Sequence, residues 1–217
     1  MKAIWFSVAN CLKQMSFGLK VMVRPFSGYW DLKKEKKGSV ASAVGLIVLY
    51  LLMVLAWYQF AGFFAVTNKQ RDSVDIFLEA CKITIPYLLW VVSSWCFTSL
   101  MDGEGTFRDI AIATAYALTP MIVFYIPQIL LSRVVSLDEI SFVYLLRGVG
   151  MMWSAYLLFA SVIVTHQYTI GKAIGTIVLT IVGMLIIIFL SMMIVSLLQQ
   201  AVSFFVMVYR EAKLRWS

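Results

Sequence analysis

Five long apolar runs separated by short polar stretches dominate the hydrophobic pattern of this 217-residue chain. A helix needs about 20 mostly apolar residues to cross a hydrocarbon layer about 30 Å thick, and each of the runs reaches that length. The pattern therefore predicts an all-α integral membrane protein with five transmembrane helices in a bundle. We place these helices near residues 40–64, 83–101, 110–132, 142–165 and 173–198.

The fifth run is too long for one upright crossing. No charged residue lies between Lys172 and Arg210, and a helix over that stretch would be about 55 Å long. Gln199 and Gln200 are the only polar pair in its second half, and no glycine or proline near them favours a hairpin. We therefore expect residues 199–217 to form a tilted extension or an interfacial helix after the fifth span.

A different pattern precedes the first span, in residues 1–37. Its apolar residues recur at steps of three and four, as they do on one face of a helix. An amphipathic helix with a basic polar face is suited to lying in the membrane interface. The apolar positions are Ile4, Val8, Leu12, Met15, Leu19 and Met22. We thus divide the chain into a basic N-terminal arm, residues 1–37, and a transmembrane domain with a helical C-terminal extension, residues 38–217.

Composition and charge support a membrane location. Charged residues make up only 13% of the chain, whereas soluble domains carry about 25%. The net charge is +7, and nearly all of it lies in the arm. A basic block beside a membrane marks the cytoplasmic side and attracts anionic lipids, so we expect a cytoplasmic N-terminus. No nucleic-acid-binding motif accompanies the charge, and we expect no nucleic-acid partner. The candidate membrane-surface residues are Lys13, Lys20, Trp30, Lys33, Lys34, Lys36 and Lys37.

The stretch MDGEGTFRDIAIATAYALTP, residues 101–120, joins the second and third spans. Gly103 and Gly105 allow the tight turn that a short loop between antiparallel spans needs. Thr106, followed three residues later by Asp109, is typical of a capping box that begins a helix. This pattern predicts a capped cytoplasmic turn that also offers a contact surface to a partner.

The same loop has a second interpretation. Its three acids, Asp102, Glu104 and Asp109, could form a cation site. The alternating oxygen ligands of an EF-hand and the GxxxxGK[ST] of a P-loop are both missing. We therefore name no metal ligand, and the ion site stays an alternative to the plain turn.

Prolines and glycines within the spans are candidates for helix packing. Pro120 and Pro127 would each bend the third span, either as a hinge or as static packing. Gly171 and Gly175 are four residues apart, a spacing that lets helices approach closely. That approach could serve contacts within the chain or with a partner.

Arg147 is the one charge set within an apolar span. An arginine inside a membrane is a functional candidate. It lies close enough to the end of the span to reach the interface, or to pair with Asp138 or Glu139.

Little in the chain suggests catalysis. The single histidine, His166, excludes a multi-histidine metal site, and the three cysteines form no CxxC. GxSxG and HExxH are also missing. We expect His166 to be solvated in a cytoplasmic loop. No acid lies deep in a predicted span and no polar stripe follows one, which disfavours a carrier. We name no catalytic residue and no cofactor.

Two stretches together resemble a known family. MDGEGTFRDIAIATAYALTP, which includes Tyr116, looks like the signature of the YIP-domain membrane proteins, and RPFSGYWDLKKEKKGS, residues 24–39, is similar to the entry into the first span of bacterial members. The resemblance covers roughly residues 24–200. It implies a five-helix bundle with a cytoplasmic N-terminus, and a place in a bacterial plasma membrane.

What the resemblance implies about function is narrower. Eukaryotic relatives bind prenylated Rab-type GTPases, but this chain lacks their acidic-aromatic-Gly-Pro element, and GTPase binding does not carry over. Genes similar to those of bacterial members are often found beside permeases of sugar ABC importers. We therefore expect a non-enzymatic scaffold or accessory subunit that packs against partner membrane proteins. The alternatives are a transport component, either an importer subunit or a small-solute channel, and an enzyme acting on lipid.

Overall fold

Helices make up most of the chain in the computed structural model, which describes residues 14–66 and 74–216, with no strand among them. The helices are α1 (14–23), α2 (Pro25–Lys34), α3 (Val40–Phe60), α4 (Ile76–Leu100), α5 (Phe107–Ala117), α6 (Thr119–Val134), α7 (Ser141–His166) and α8 (Ile170–Trp216). Five stretches are long and apolar enough to span a membrane: α3, α4, α5 with α6, α7, and residues 170–207 of α8. The all-α, five-span prediction is confirmed.

The second span begins earlier than the sequence pattern predicted. Asp75 caps α4, because its carboxylate accepts from the amides of Phe77 at 2.8 Å and Leu78 at 3.4 Å. Glu79 and Lys82 therefore lie inside the helix, where their side chains pair at 2.6 Å. The predicted span began after these two charged residues because charges were taken to end an apolar span, whereas the cap at Asp75 sets the start of the helix.

The third span is interrupted at Leu118. Pro120 has no amide hydrogen, so the carbonyl of Tyr116 loses the donor that a continuous helix would supply. The hydroxyl of Thr119 replaces that donor, at 2.7 Å from the Tyr116 oxygen. The span is thus interrupted just before Pro120, whereas Pro127 lies within the unbroken α6, and the bends predicted at both prolines stay predictions.

Helices α1 and α2 form a hairpin that packs on the bundle. Gly28 lies against the backbone of Val21, and Lys20 pairs with Asp31 across the hairpin at 2.7 Å. Near the tip, the indole nitrogen of Trp153, a residue at the middle of α7, donates to the carbonyl of Met22 at 3.2 Å.

This packing adds to the predicted role of the arm. Val21 is fully buried and Gly18 lies against the side chain of Thr119, whereas Leu19 of the predicted apolar face is half exposed. The pattern of apolar residues did not predict this contact, because Gly18 has no side chain and was not part of the apolar face. Residues 1–13, which include Lys13 and half of the predicted apolar face, lie outside the described residues.

Tyr116 joins three helices at the centre of the bundle. Its side chain is fully buried, and its hydroxyl donates to the Gln14 carbonyl of α1 at 2.8 Å and lies 3.1 Å from the Ser42 oxygen of α3. Large apolar side chains from α2, α3 and α7 surround it. The motif residue that the family resemblance singled out is therefore a packing residue.

Helix α8 is one continuous helix of 47 residues, about 70 Å long. Its first half packs against α4, where the hydroxyl of Ser93 donates to the Thr180 carbonyl at 2.7 Å and Gly183 lies against Phe97. Every residue from 188 to 207 is exposed. The helix does not change direction at Gln199, so the expected extension continues the fifth span directly.

Candidate interaction site at the basic end of the bundle

One end of the bundle gathers most of the residues that the sequence singled out. Here α4 and α7 end, and α3, α5 and α8 begin, with the last turn of α2 beside them. We call it the basic end, because the lysines of residues 33–37 lie there. The loop of residues 101–106 crosses this end and contacts the end of α7.

The glycines of this loop serve close approach rather than an unusual backbone. Asp102 takes the left-handed conformation, with φ +53°, whereas neither Gly103 nor Gly105 has a positive φ. A β-carbon added to Gly103 would lie 2.6 Å from His166 Nδ1, and one added to Gly105 would lie 2.6 Å from its Cε1 and 2.8 Å from Thr165. The turn is confirmed, but the predicted reason for its two glycines is wrong.

His166 is buried, with 3% of its surface exposed, and the expectation of a solvated histidine is wrong. Its Nδ1 accepts a hydrogen bond from the Gly105 amide at 3.3 Å, which places the ring proton on Nε2. The ring stacks on Tyr168 at 5.3 Å, and the Tyr168 hydroxyl donates to the Met101 carbonyl at 3.1 Å. His166 and Tyr168 therefore hold the loop on α7 and α8.

The capping box predicted at the start of α5 is confirmed. The Asp109 amide donates to Thr106 Oγ1 at 3.3 Å, and the Thr106 amide donates to the Asp109 carboxylate at 3.2 Å. The Thr106 hydroxyl also donates to that carboxylate, at 2.7 Å. These bonds satisfy amides that the first turn of a helix leaves without partners.

A lysine of the arm pairs with the acidic loop. Lys33 Nζ lies 3.0 Å from the Glu104 carboxylate, and only 12% of the lysine side chain is exposed. The hydrogen bond from Lys33 holds the pKa of Glu104 below its usual range. Two of the three acids of the alternative cation site are thus engaged, Glu104 with Lys33 and Asp109 in the cap.

The other basic residues of the arm divide into paired and unpaired groups. Asp31 accepts from Lys20 at 2.7 Å, and Lys37 contacts both Asp31 and Glu35. Lys34 lies 5.4 Å from the ring centre of Trp30, a residue that is half exposed. Among the described residues, Lys34 and Lys36 form no ion pair with a carboxylate.

Three predicted packing residues lie away from this arrangement. Arg147 is exposed on α7 and forms no ion pair within the described chain, while Glu139 accepts instead from Ser136. A β-carbon added to Gly171 or Gly175 would meet nothing within 4 Å. Among the described residues, the two glycines therefore make no close helix contact, and their contact with a partner stays a prediction.

Buried hydroxyl groups line the junction of α4, α7 and α8, where no polar stripe was expected. Thr98, Ser161, Thr176 and Thr180 are buried, and each donates to a backbone carbonyl of its own helix at 2.7–2.8 Å. They lie on three different helices and do not follow any one span, so they do not contradict the expectation that no polar stripe follows a span. These hydroxyls satisfy themselves locally, so they pack helices together without forming an open polar path.

The fold and this site define a class of protein: a polytopic, all-helical membrane protein with a short basic hairpin packed against five spans. The chain matches the Yip1 domain over residues 19–193. It belongs to the Yip1 domain family, a family of non-catalytic membrane proteins. No curated protein and no solved structure matches it. The resemblance seen in the sequence is confirmed, and the matched region includes the described arm from residue 19 onward.

Proposed function

We propose that this protein is a non-enzymatic accessory subunit or scaffold that binds another membrane protein through the exposed second half of α8. The observation that supports this proposal most strongly is the length of α8. Its apolar part, residues 170–207, has 38 residues, about 57 Å of helix, whereas the hydrocarbon layer is about 30 Å thick.

Tilting does not resolve this mismatch. Transmembrane helices tilt by about 20° on average and by at most about 40°. A 57 Å helix would need roughly 60° to fit within 30 Å. Contact with α4 through Ser93 and Gly183 also fixes the direction of the first half.

The excess apolar surface therefore needs a protein cover. The part of α8 that does not fit in the hydrocarbon layer would expose apolar side chains to water, and large exposed apolar patches mark interaction sites. Leu198, Val202 and Phe205 are 61%, 61% and 69% exposed, respectively. Near the start of α8, Gly171 and Gly175 have no side chains, so a partner helix can approach this face of α8 closely.

The partner we propose is an apolar helical subunit of the same membrane, such as an importer permease, as the family resemblance implies. The basic end faces the cytoplasm of a bacterial cell in this arrangement, because lysines concentrate on that side of plasma membranes. The loop of residues 101–106 then offers Asp102 and Glu104 as a secondary contact.

Photo-crosslinking in cells tests the proposal. A photoreactive amino acid at Leu198 should give a discrete crosslinked band whose mass exceeds that of the chain. The matched control is Val48, which is 49% exposed on α3 and should give only lipid adducts.

Each outcome is decisive. A band at Leu198 that contains a permease or another membrane protein supports the proposal, and its identity separates a transport accessory from a general scaffold. A band of twice the chain mass identifies a second copy as the cover and contradicts an accessory role. Equal crosslinking at Leu198 and Val48, or none at either, also contradicts the proposal.

A further inference from the structure

An open cleft lies at the basic end, between the last turn of α2 and the first turns of α3 and α5. Its volume is about 470 Å³. Four cations line it, together with an apolar floor formed by Leu32 and Ile112. The cations are Lys33, Lys34, Lys36 and Arg108.

Three of these cations are uncompensated. Lys33 is neutralised by Glu104, but Lys34, Lys36 and Arg108 form no ion pair with any described carboxylate. Among the described residues, Asp109 is the only acid in the lining, and its carboxylate accepts from both the amide and the hydroxyl of Thr106. The cleft therefore carries a net positive charge that the described residues do not balance.

The backbone at Lys36 adds an independent observation. Its φ is +49°, a left-handed conformation that is uncommon for a residue with a side chain. Such conformations cost free energy and cluster at binding sites. Lys36 lies two residues before Gly38 and three before Ser39, which also line the cleft.

A buried hydroxyl lies behind the cleft. Tyr29 is 1% exposed, and its hydroxyl has no hydrogen-bond partner among the described residues. It lines a small chamber that shares Leu32, Lys33 and Ile112 with the cleft. Burial raises the pKa of Tyr29, so the hydroxyl stays protonated. The chamber has a volume of about 10 Å³, room for one water at most, so this hydroxyl does not contact a ligand held in the cleft.

We propose that this cleft binds a phosphate monoester or an anionic phospholipid headgroup. Lys34, Lys36 and Arg108 contact its oxygens, and Leu32 and Ile112 carry the adjoining apolar part. Arginine and lysine are the side chains that recognise phosphate best, through charge-assisted hydrogen bonds. Ser39 and Thr106 also line the cleft, but their side chains are engaged in their own helix caps.

Binding to the purified full-length protein in a neutral detergent tests this inference. Isothermal titration should show saturable one-to-one binding of dioctanoyl phosphatidic acid, and much weaker binding of dioctanoyl phosphatidylcholine. Because each cation near an anionic group contributes roughly fivefold, the variant Lys34→Gln, Lys36→Gln, Arg108→Gln should lose about 100-fold in affinity. Inorganic phosphate, added as a competitor, distinguishes the sources: full competition indicates a free phosphate ester, and weak competition indicates a lipid headgroup.

Two controls keep the test specific. Lys172→Gln removes a cation at the same end, one that contacts Tyr168 and lies outside the cleft, and should leave the affinity unchanged. Tyr29→Phe changes a buried residue outside the cleft lining and should also leave the affinity unchanged. The unliganded variant should melt at the same temperature or higher, because a buried unpartnered hydroxyl is removed. Unchanged affinity in the folded triple variant overturns the proposal, and so does equal binding of the two lipids.

Discussion

The amide nitrogen of Gly105 donates a hydrogen bond to His166 Nδ1 across 3.3 Å. This bond connects the loop after α4 with the last residue of α7. It also positions Thr106, the next residue, to cap α5. The loop that carries the acids is therefore held by a buried ring as well as by its own turn, in which the Gly103 amide donates to the Thr98 carbonyl at 2.8 Å.

Close packing at this loop makes Gly105→Ala destabilising. The new methyl group would meet His166 and Thr165 at 2.6 and 2.8 Å, and overpacking of this kind costs about 1–3 kcal/mol. Thermal unfolding of the purified protein in detergent measures the effect. Gly175→Ala is the matched control, since nothing lies within 4 Å of its added methyl and alanine favours a helix by up to about 1 kcal/mol. Equal melting temperatures for the two variants would show that the loop is not tightly packed on α7.

The arm should loosen when the Tyr116 hydroxyl is removed. Tyr116→Phe loses the hydrogen bond to the Gln14 carbonyl, worth about 1 kcal/mol, while the ring still fills its site. We expect faster tryptic cleavage after Lys20 and Arg24, with the five spans intact. Tyr144→Phe, at a half-exposed position on α7, should leave the cleavage rate unchanged. If Tyr116→Phe cleaves no faster than its control, the arm does not depend on this bond.

The pair of Lys33 and Glu104 should make stability depend on pH. Because the folded protein lowers the pKa of Glu104, this pair contributes stability fully above the ordinary carboxyl value of about 4.3 and loses it as the pH falls further. Melting temperatures between pH 7 and pH 3 should therefore fall less steeply for Glu104→Gln than for the parent. Asp31→Asn should flatten the profile by the same reasoning, since Lys20 lowers the pKa of Asp31. Parallel profiles for parent and variant would contradict the linkage.

The basic arm should set the orientation of the chain. Changing Lys33, Lys34, Lys36 and Lys37 to Glu reverses the charge beside the first span, and topology follows the balance of Lys and Arg. Labelling of single cysteines, in a background without Cys11, Cys81 and Cys96, should show a mixed or inverted orientation. A uniform parental orientation would mean that charge beside the first span does not control insertion.

Patterns that repeat along the chain predicted most of this fold. Five apolar runs predicted the five spans, because each run is continuous along the chain. Thr106 and Asp109 predicted the start of α5, because the two residues of the capping box are only three positions apart. The break at Pro120 followed from the missing amide of a single residue. Such features need no knowledge of what lies across the bundle.

Contacts between distant residues could not be predicted in this way. His166 is buried because two glycines, 61 and 63 positions earlier, leave room for its ring. Nothing in the sequence around His166 indicates these glycines, and nothing around the glycines indicates His166. Gly18 similarly looks like an interruption of an amphipathic face, although it is the point where α1 meets Thr119. The cleft combines residues from three elements, so its uncompensated charge became visible only once the arm was folded against α5.

The most direct test of the central claim is whether bulk on the exposed half of α8 removes the partner. Leu198→Trp with Val202→Trp keeps the helix apolar but blocks close packing, and Val48→Trp with Leu52→Trp does the same on the exposed face of α3. Complexes extracted from native membranes in polymer nanodiscs can then be compared by mass. We predict that the α8 variant runs as the chain alone, while the α3 variant keeps the partner of the parent protein. Retention of the partner by both variants, or its loss from both, would contradict the account.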